Sequence, residues 1–420
     1  MGTVHIVGAG LAGLGAAVAL IKAGRQVVVY DQAGHAGGRC RSFHDGTLER
    51  RIDNGNHLLF SGNHAARGFL DDIGAGDSLT GPRRPVFPFV DLETGRRWTV
   101  RISRGRIPWW ILRPSWRVPD TGVLDYVSAI RLAWAGPDAT MADCFDVASP
   151  IFKRFWQPLS VAILNTSAEE AAAAPLWPVL VETFGRGGMN CRPLIARHGL
   201  SDSFVDPAVA WLTAGGAALR FSHRLRRLKL ANGRSAGLDF GRDGEVELAG
   251  DDKVVLAIPP DGVHDLVPSV PVPTQSRAIV NAHYRVGEVA AFPDGSPLLG
   301  VLGGTAQWIF RRGDVVSVTV SAADRLAERP TEEIVRLIWG DVARALELPA
   351  APMAPARLVK EKRATFAQTP AAMARRAKTE TAFANLFLAG DWTDTGLPAT
   401  IEGAIRSGRA AAAAVLAARD

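Results

Sequence analysis

Three glycines near the amino terminus have the spacing of a dinucleotide-binding turn. They are Gly8, Gly10 and Gly13, and Leu11 and Ala12 lie between the last two. The β-branched run before them predicts a strand, and residues 14–23 predict a helix. In this pattern the first glycine permits a tight turn, the second lets the backbone approach a pyrophosphate, and the third lets helix and strand pack closely. The amino end of the helix offers free N–H groups to phosphate, so this turn is predicted to bind one.

An acidic residue stands where the ribose of a dinucleotide would be bound. Residues 26–30 predict a second strand, and Asp31 ends it. Such a carboxylate accepts a hydrogen bond from a ribose 2′-hydroxyl and disfavours a 2′-phosphate. The full order of strand, glycine turn, helix, strand and acid predicts dinucleotide binding, which a glycine motif alone would not.

A second glycine pair with arginines follows soon after this acid and does not belong to the plain NAD pattern. Its residues are Gly37, Gly38, Arg39 and Arg41. One interpretation is that the phosphates and the ribityl chain of a larger cofactor pass this loop. The alternative is a surface turn that binds nothing.

The carboxyl-terminal region predicts a second helix whose amino end could face a cofactor. An apolar run ends at Gly390 and Asp391, and a helix follows that contains Ile401, Glu402 and Ala404 in its first turn. A helix amino terminus stabilises negative charge, as on the electron-rich edge of a reduced flavin. Asp391 could accept a hydrogen bond from a ribityl hydroxyl. The alternative is a terminal helix that only packs.

Together these motifs resemble the FAD-dependent amine oxidase and phytoene desaturase superfamily. The resemblance implies FAD and an α/β fold, in which a discontinuous Rossmann-like FAD-binding domain accompanies a second, α+β substrate domain. The implied segments are 1–80, 200–265 and 375–420 for the FAD-binding domain, and 81–199 and 266–374 for the substrate domain. It also implies that the backbone of Leu225 meets the adenine ring.

The residue sequences of several motifs are similar to those of the squalene-associated branch of this superfamily. The similarity covers residues 52–63, 85–92, 108–110 and 390–400. It implies an oxidoreductase that removes the allylic hydroxyl of hydroxysqualene with hydride from reduced FAD, giving squalene for hopanoid synthesis. A carotenoid or phytoene-type desaturase and a flavin amine oxidase stay open as alternatives.

Amine oxidation is weakened as an alternative because no cysteine follows Cys191 to carry a covalent flavin. A non-enzymatic FAD-binding protein is disfavoured by the apparent substrate domain.

Two residues are candidates for the proton donor that such a reaction needs. An allylic alcohol ionises to a delocalised cation once an acid protonates its oxygen. Asp53 and His57 lie in a polar cluster that interrupts an apolar context. His57 is favoured because imidazole titrates near neutral pH. The alternative is that Asp53 builds a turn and that His57 is a structural histidine.

One segment carries the whole excess of positive charge. The chain has 48 basic and 42 acidic residues, a net charge of +6. Residues 96–117 contain seven arginines and no acid, and without them 41 basic residues face 42 acidic ones. Trp109, Trp110 and Trp116 lie among these arginines. Indoles and guanidinium groups together favour a membrane interface, where a long apolar isoprenoid substrate would also be found. The alternative is a solvated arginine face over buried indoles.

Length and composition exclude several other classes of protein. A chain of 420 residues exceeds one hydrophobic core, so two domains are expected. A hydrophobic fraction of 47% with 21% charged residues excludes a disordered or fibrous protein. Three distant cysteines and scattered histidines predict neither disulfides nor a metal site. No signal peptide, membrane-spanning segment or nucleic-acid partner is predicted, so the expected location is the cytoplasm, peripherally on the inner membrane face. The reductant of the FAD is not indicated.

Overall fold

The computed structural model describes residues 2–418, in which strands and helices come from all parts of the chain. The strands are β1 Val4–Val7, β2 Val27–Tyr30, β3 Ser42–Asp45, β4 Arg50–Asp53, β5 Leu59–Phe60, β6 Leu79–Thr80, β7 Val86–Asp91, β8 Arg97–Arg101, β9 Pro193–Ala196, β10 Ala218–Arg220, β11 Arg227–Ala231, β12 Arg234–Asp239, β13 Glu245–Glu247, β14 Lys253–Leu256, β15 Ser276–Arg285, β16 Leu298–Leu302, β17 Trp308–Arg312, β18 Val315–Val320, β19 Ala356–Phe366 and β20 Leu386–Leu388. The α-helices are α1 Leu11–Lys22, α2 His64–Asp72, α3 Val123–Val127, α4 Met141–Cys144, α5 Gln157–Leu164, α6 Leu176–Leu180, α7 Asp206–Ala214, α8 Pro260–Leu266, α9 Asp324–Ala327, α10 Thr331–Leu346, α11 Pro370–Met373 and α12 Ile401–Ala417.

Five strands that are far apart in the sequence form one parallel sheet. Their order is β10, β2, β1, β14 and β20. The chain enters at the centre, runs to one edge and then to the other, which is the doubly wound order of dinucleotide-binding folds. Helices α1 and α12 pack closely against each other, since a Cβ on Gly408 would lie 2.1 Å from the carbonyl oxygen of Ala12. The carboxyl ends of these strands therefore come from separated segments and face one crevice.

A second sheet of seven strands lies beside the first. Its order is β19, β15, β18, β17, β16, β7 and β8, and its pairs are antiparallel except for β16 with β7. Helix α10 packs with the apolar side chains of one face. Short helical segments between residues 109 and 185 cover buried rings on another, which we call the aromatic cluster: Phe60, Phe87, Phe89, Trp110, Phe145, Phe152, Phe155, Trp156, Trp308 and Phe310.

Short strands connect the two sheets. The hairpin of β3 and β4 follows the second glycine pair and ends at Asp53. Strand β5 pairs with β9 shortly after that, and β9 pairs also with β6. Residues 53–57 thus lie between the parallel sheet and the strands β15, β17 and β18 of the second sheet. The polar cluster of the sequence is held at this junction.

Candidate cofactor and active site

The glycine turn between β1 and α1 leaves space at one of its three glycines. Gly8 has a φ of +109°, and a Cβ there would lie 2.3 Å from the carbonyl oxygen of Ala257. A Cβ on Gly13 would lie 1.9 Å from the carbonyl oxygen of Gly8. A Cβ on Gly10 would meet no atom within 4 Å. The fold itself therefore requires Gly8 and Gly13, whereas Gly10 borders the open space that a pyrophosphate needs.

Asp31 fixes this turn through main-chain amides. Its Oδ2 accepts a hydrogen bond of 2.7 Å from the amide of Ala9, and its Oδ1 accepts one of 2.8 Å from the amide of Ala33. A carboxylate oxygen has more than one acceptor position, so a ribose hydroxyl still fits beside these bonds. The geometry agrees with the predicted ribose contact and adds a second role, holding the loop.

The second glycine pair lies directly against the first turn. The amide of Gly37 donates to the carbonyl oxygen of Ala9 at 2.8 Å. A Cβ on Gly38 would lie 3.4 Å from the Cα of Gly10. Because the two loops touch, they border one space, which we call the cofactor cleft. This favours the interpretation that the cofactor passes both loops.

Arg39 joins this loop to the carboxyl-terminal motif. Its Nη2 donates to Oδ1 of Asp391 at 2.7 Å, and Asp391 raises the pKa of Arg39. Although protein surrounds Arg39 deeply, 42% of its side chain is accessible, so it faces an internal space. Arg41 points elsewhere, since its Nη1 lies 3.3 Å from Nε2 of His35 near the surface. Arg39 and Asp391 are thus brought together at the cofactor cleft, and Arg41 is not.

A buried arginine that the sequence reasoning missed organises the loop after Asp391. Arg376 donates to the carbonyl oxygens of Leu397 at 2.7 Å and of Asp391 at 3.2 Å. Burial lowers the pKa of Arg376. The indole of Trp392 donates to the carbonyl oxygen of Ile258 at 3.0 Å and is enclosed in the core. Nothing local in the sequence marks Arg376, because its partners lie 15 to 21 residues further along the chain.

The carboxylate of Glu402, in the first turn of α12, contacts the start of α2. Its carboxylate accepts hydrogen bonds from the amides of Ala65 at 3.0 Å and Ala66 at 2.8 Å, which are unpaired groups at the start of α2. It also pairs with Nε of Arg406 at 2.9 Å. The carboxylate of Glu402 therefore caps α2, and the predicted cofactor contact of this residue stays a prediction for its main-chain amide. The main-chain amides of Ile401 and Glu402 lie at the amino end of the seventeen-residue helix α12. This end can stabilise negative charge on a flavin, as the sequence predicts.

Leu225 and Ala404 are the two remaining residues predicted to contact the cofactor. Leu225 follows β10 in a loop, with its side chain buried in the core beside Tyr30 and Phe240. Within residues 2–418 its main-chain amide makes no hydrogen bond, as a contact to adenine would require. The amide of Ala404 donates to the carbonyl oxygen of Thr400 at 2.8 Å. Because its amide is already paired, Ala404 can contact the cofactor only through its methyl group.

Asp53 is held as an acceptor at the junction of the two sheets. Only 1% of its side chain is exposed. Its Oδ2 lies 2.8 Å from Nη1 of Arg312, while Oδ1 accepts from Oγ of Ser42 at 2.5 Å and from the amide of Leu200 at 2.9 Å. Oδ1 thus accepts two hydrogen bonds, and Oδ2 forms an ion pair with the guanidinium of Arg312. The geometry therefore gives Asp53 a positioning role and speaks against the predicted role as a proton donor.

His57 lies between the cofactor cleft and the second sheet. Burial lowers its pKa, and Arg39 lowers it further, whereas Asp53 and Asp391 partly oppose the shift. The imidazole lines a cavity of about 10 Å³, which is room for one water molecule. The lining residues are Asn56, His57, Ile195, Phe310, Arg312 and Ser317. His57 thus lies within electrostatic reach of Arg39 and Asp391 and lines a small polar cavity, and its catalytic role stays a prediction.

A second histidine stands behind this cavity and was missed in the sequence. His283 on β15 is 1% exposed, and its Nδ1 lies 2.7 Å from Oγ of Ser317. Burial lowers its pKa to about 4. Only the pairing of β15 with β18 brings the two residues together. The imidazole is neutral there and orients the Ser317 hydroxyl that lines the cavity.

Replacing His283 with glutamine is expected to reduce the acid sensitivity of the protein. Histidine in an unfolded chain has a pKa near 6.5, so between pH 6.5 and 4 only the unfolded chain takes up this proton. The shift lowers the free energy of unfolding by about 3 kcal/mol over that range and has no effect above it. Urea unfolding of wild type and His283→Gln at several pH values measures the difference. The exposed His44→Gln variant should follow the wild type, and a His283→Gln curve parallel to both would contradict the prediction.

The three tryptophans of the basic segment lie apart from this site. Trp109 is 60% exposed, Trp110 is 6% exposed, and Trp116 is half-buried. Together they line a cavity of about 340 Å³, which we call the tryptophan–arginine cavity. Its lining residues are Arg84, Ile102, Ser103, Arg104, Trp109, Trp110, Arg113 and Trp116. Trp110 packs edge-to-face on Tyr126, with ring centroids 4.9 Å apart, so it belongs to the core and not to a membrane-facing surface.

The fold and the site define a flavin-dependent oxidoreductase with a dinucleotide-binding domain. The open glycine at position 10, the touching glycine loops and the deep but accessible Arg39 fit a bound dinucleotide. The chain belongs to the family of flavin containing amine oxidoreductases, which it matches over residues 11–416. Its cofactor is FAD. The predicted superfamily, the cofactor and the α/β fold with a second α+β part are confirmed.

Similar proteins cover nearly the whole chain. A protein named hydroxysqualene dehydroxylase from Rhodopseudomonas palustris is 46% identical over 417 residues, which is 99% of each chain. A second protein of that name, from Sinorhizobium fredii, is 45% identical over 97% of each chain. Among solved structures, a variant of putrescine oxidase matches with a TM-score of 0.70 over 99% of both chains, at 18% identity. This last likeness shows the shared fold.

Proposed function

We propose that this protein is a hydroxysqualene dehydroxylase. The observation that carries the proposal is the 46% identity, over 99% of both chains, to a protein of that name. The substrate is then a long apolar isoprenoid with one allylic hydroxyl, and the products are squalene and water. When bound in its reduced form, FAD supplies the hydride that replaces the hydroxyl.

The residues of the cofactor cleft hold FAD in this proposal. The turn from Gly8 to Gly13 takes the pyrophosphate, Asp31 the adenosine ribose, and the loop at Leu225 the adenine. The second glycine pair, Arg39 and Asp391 border the ribityl and phosphate side. The amino end of α12 orients the flavin ring. The contacts described above support these assignments. Arg41 and the carboxylate of Glu402 are left out because their contacts point away from the cofactor cleft.

The chain itself handles the leaving hydroxyl. His57 donates a proton to the hydroxyl oxygen, the carbon–oxygen bond breaks, and water leaves. The cavity beside His57 accommodates one water, and Arg312 and Ser317 line it with hydrogen-bond donors. Asp53 holds Arg312 in place. Phe310 belongs both to this cavity and to the aromatic cluster, which keeps bulk water from the cation.

Anaerobic turnover of hydroxysqualene tests the function. The FAD-loaded protein, reduced before mixing, should convert hydroxysqualene to squalene, with one flavin oxidised for each squalene formed. Product is measured by gas chromatography and flavin by absorbance, and reduced FAD without protein is the control. Absence of squalene, together with new double bonds in a carotenoid precursor offered to the oxidised protein, would contradict the dehydroxylase and favour a desaturase.

We further propose that residues 96–117 contact the surface of a membrane. Half of the exposed large apolar side chains in the described part of the chain, seven of fourteen, lie between residues 107 and 134. They are Ile107, Trp109, Leu112, Leu124, Val127, Ile130 and Trp134. No helix within residues 2–418 has both the length and the apolarity to cross a bilayer. Contact at the surface would let an apolar substrate pass from the lipid to the protein.

Removing exposed apolar side chains from this surface is expected to weaken membrane binding. The double variant Trp109→Ser, Leu124→Ser should bind vesicles of phosphatidylcholine and phosphatidylglycerol at least about tenfold more weakly, because each side chain buries apolar area in the interface. Cosedimentation measures the binding. Leu337→Ser, Leu416→Ser removes exposed apolar surface elsewhere and should bind like wild type. Equal binding of all three proteins would remove the proposed contact.

A further inference from the structure

The tryptophan–arginine cavity combines a rigid apolar floor with positive charge. Buried Trp110 packs on Tyr126, whose hydroxyl accepts a hydrogen bond of 2.9 Å from the amide of Val118. The guanidinium of Arg113 lies 4.6 Å from the centroid of the Trp116 ring. The cavity of about 340 Å³ is therefore shaped by side chains that contacts hold in place.

The backbone that carries Arg104 is also held. The amide of Met189 donates to the carbonyl oxygen of Arg104 at 3.2 Å, and the amide of Gly188 donates to that of Gly105 at 3.3 Å. A Cβ on Gly188 would lie 1.9 Å from the carbonyl oxygen of Ser103, so only glycine allows this approach. Arg104 thus extends from a loop, three residues after the end of β8, whose backbone is held by hydrogen bonds.

Six arginines in and near residues 96–117 differ in whether they pair with a carboxylate. Arg96, Arg97 and Arg101 pair with carboxylates at 2.7 to 3.0 Å, those of Asp120, Glu347 and Asp294. The arginines of the cavity, Arg84, Arg104 and Arg113, make no ion pair within the described part of the chain. Three unpaired guanidinium groups around one cavity are a binding site for an anion, and their planar donors suit phosphate.

The surroundings of the cavity indicate the source of the phosphate. Leu124, Val127, Ile130 and Trp134 lie three or four residues apart, so they share one helical face, and all are exposed. Leu124 is 82% exposed and Trp134 is 74% exposed. The neighbouring acids are engaged, because Asp120 pairs with Arg96 and Arg154, and Asp125 accepts from the amide of Gly122. The segment that carries these apolar side chains packs on the cavity through Tyr126 and Trp110, and this combination matches the headgroup and the acyl chains of one lipid.

We propose that the tryptophan–arginine cavity binds the phosphate group of a membrane phospholipid, with the acyl chains against the exposed apolar side chains of residues 107–134. This inference rests on the proposed membrane contact and deepens it. Arg104 and Arg113 donate hydrogen bonds to the phosphate oxygens, and the indole of Trp109 lies at headgroup depth. The protein is thereby set on the membrane in one orientation.

Vesicles that differ only in their anion test the site. The FAD-loaded protein is sedimented with vesicles of neutral galactolipid that contain phosphatidylglycerol or, at equal surface charge, oleate. Wild type should prefer the phosphatidylglycerol vesicles about tenfold, the contribution of a charge-assisted hydrogen bond. Arg104→Gln, Arg113→Gln should lose this preference. Arg96→Gln, Arg97→Gln removes the same charge from the same segment and should keep it, and both variants should retain full FAD content.

Three outcomes would overturn the phosphate site. These are equal binding of wild type to both kinds of vesicle, an equal loss of preference in the two double variants, and displacement from the vesicles by glycerol phosphate at concentrations comparable to the lipid. The last outcome would assign the cavity to a soluble phosphate ester. No hydroxysqualene enters this experiment, so its result is independent of the proposed reaction. Failure to bind either vesicle would refute the membrane contact itself.

Discussion

Replacing Gly10 with alanine is expected to abolish FAD binding and to leave the protein without cofactor at least as stable as wild type. Gly10 has a φ of −72°, which alanine adopts without strain, and its Cβ would meet no protein atom within 4 Å. The added methyl group would occupy the space that the pyrophosphate needs. The loss of backbone freedom in the unfolded chain should raise the free energy of unfolding by up to about 1 kcal/mol. Flavin absorbance after gel filtration and urea unfolding measure the two effects.

Gly13 provides the matched comparison for this prediction. A Cβ on Gly13 would lie 1.9 Å from the carbonyl oxygen of Gly8, so α1 would have to move away from β1. Gly13→Ala should therefore destabilise the protein by about 1–3 kcal/mol or more, with or without FAD, as overpacking does. Stoichiometric FAD in the Gly10→Ala variant, or an unchanged unfolding curve for Gly13→Ala, would contradict the assignment of the two glycines.

The cofactor motifs could be predicted from sequence because each depends on neighbours along the chain. A glycine turn needs a strand before it and a helix after it, and both are visible as local patterns around Gly8 and Gly13. The resemblance to the superfamily also implied that distant segments meet in one domain. The parallel sheet has strands from all three segments assigned to the FAD-binding domain. The exact limits of the two domains stay a prediction.

The side chains around the cofactor cleft could not be predicted in the same way. Arg312 pairs with Asp53, and His283 orients Ser317, through contacts between strands that are 34 or more residues apart. Glu402 stands in a cofactor motif, yet its carboxylate is needed by two unpaired amides of α2, more than 330 residues earlier. Such partners are determined by the packing of the sheets, and the residue types alone do not show them.

In the basic segment, residues 96–117, the sequence likewise does not show which side chains are buried. Its composition indicated an interface, and the exposed Trp109 agrees with that. Nothing in the sequence separates Trp110 from its neighbours, because its burial depends on contacts with Tyr126 and the aromatic cluster. The exposed face of residues 124–134 was missed, since its apolar spacing is also that of a helix packed on a core. Whether such a face is covered depends on the remaining fold.

Replacing His57 with glutamine is expected to lower the limiting rate of squalene formation about 100-fold or more, the contribution of a positioned general acid. Glutamine keeps a polar group beside the cavity but has no proton to release. Burial lowers the pKa of His57 below its usual value of 6.5, so the protonated form is a minority at neutral pH. The wild-type rate should therefore rise as the pH falls from 8 and level off below the pKa of His57. The rate of the variant should not show this rise.

Single-turnover measurements with prereduced protein, between pH 5 and 8, test both parts of this prediction. His57→Gln should retain FAD and, at pH 8, the wild-type unfolding curve, because the imidazole makes no hydrogen bond to another described residue. His44→Gln removes an exposed histidine of β3 and should leave the rate and its pH dependence unchanged. A wild-type rate in His57→Gln would identify another proton donor. That result would contradict the assignment of His57 as the group that protonates the leaving hydroxyl.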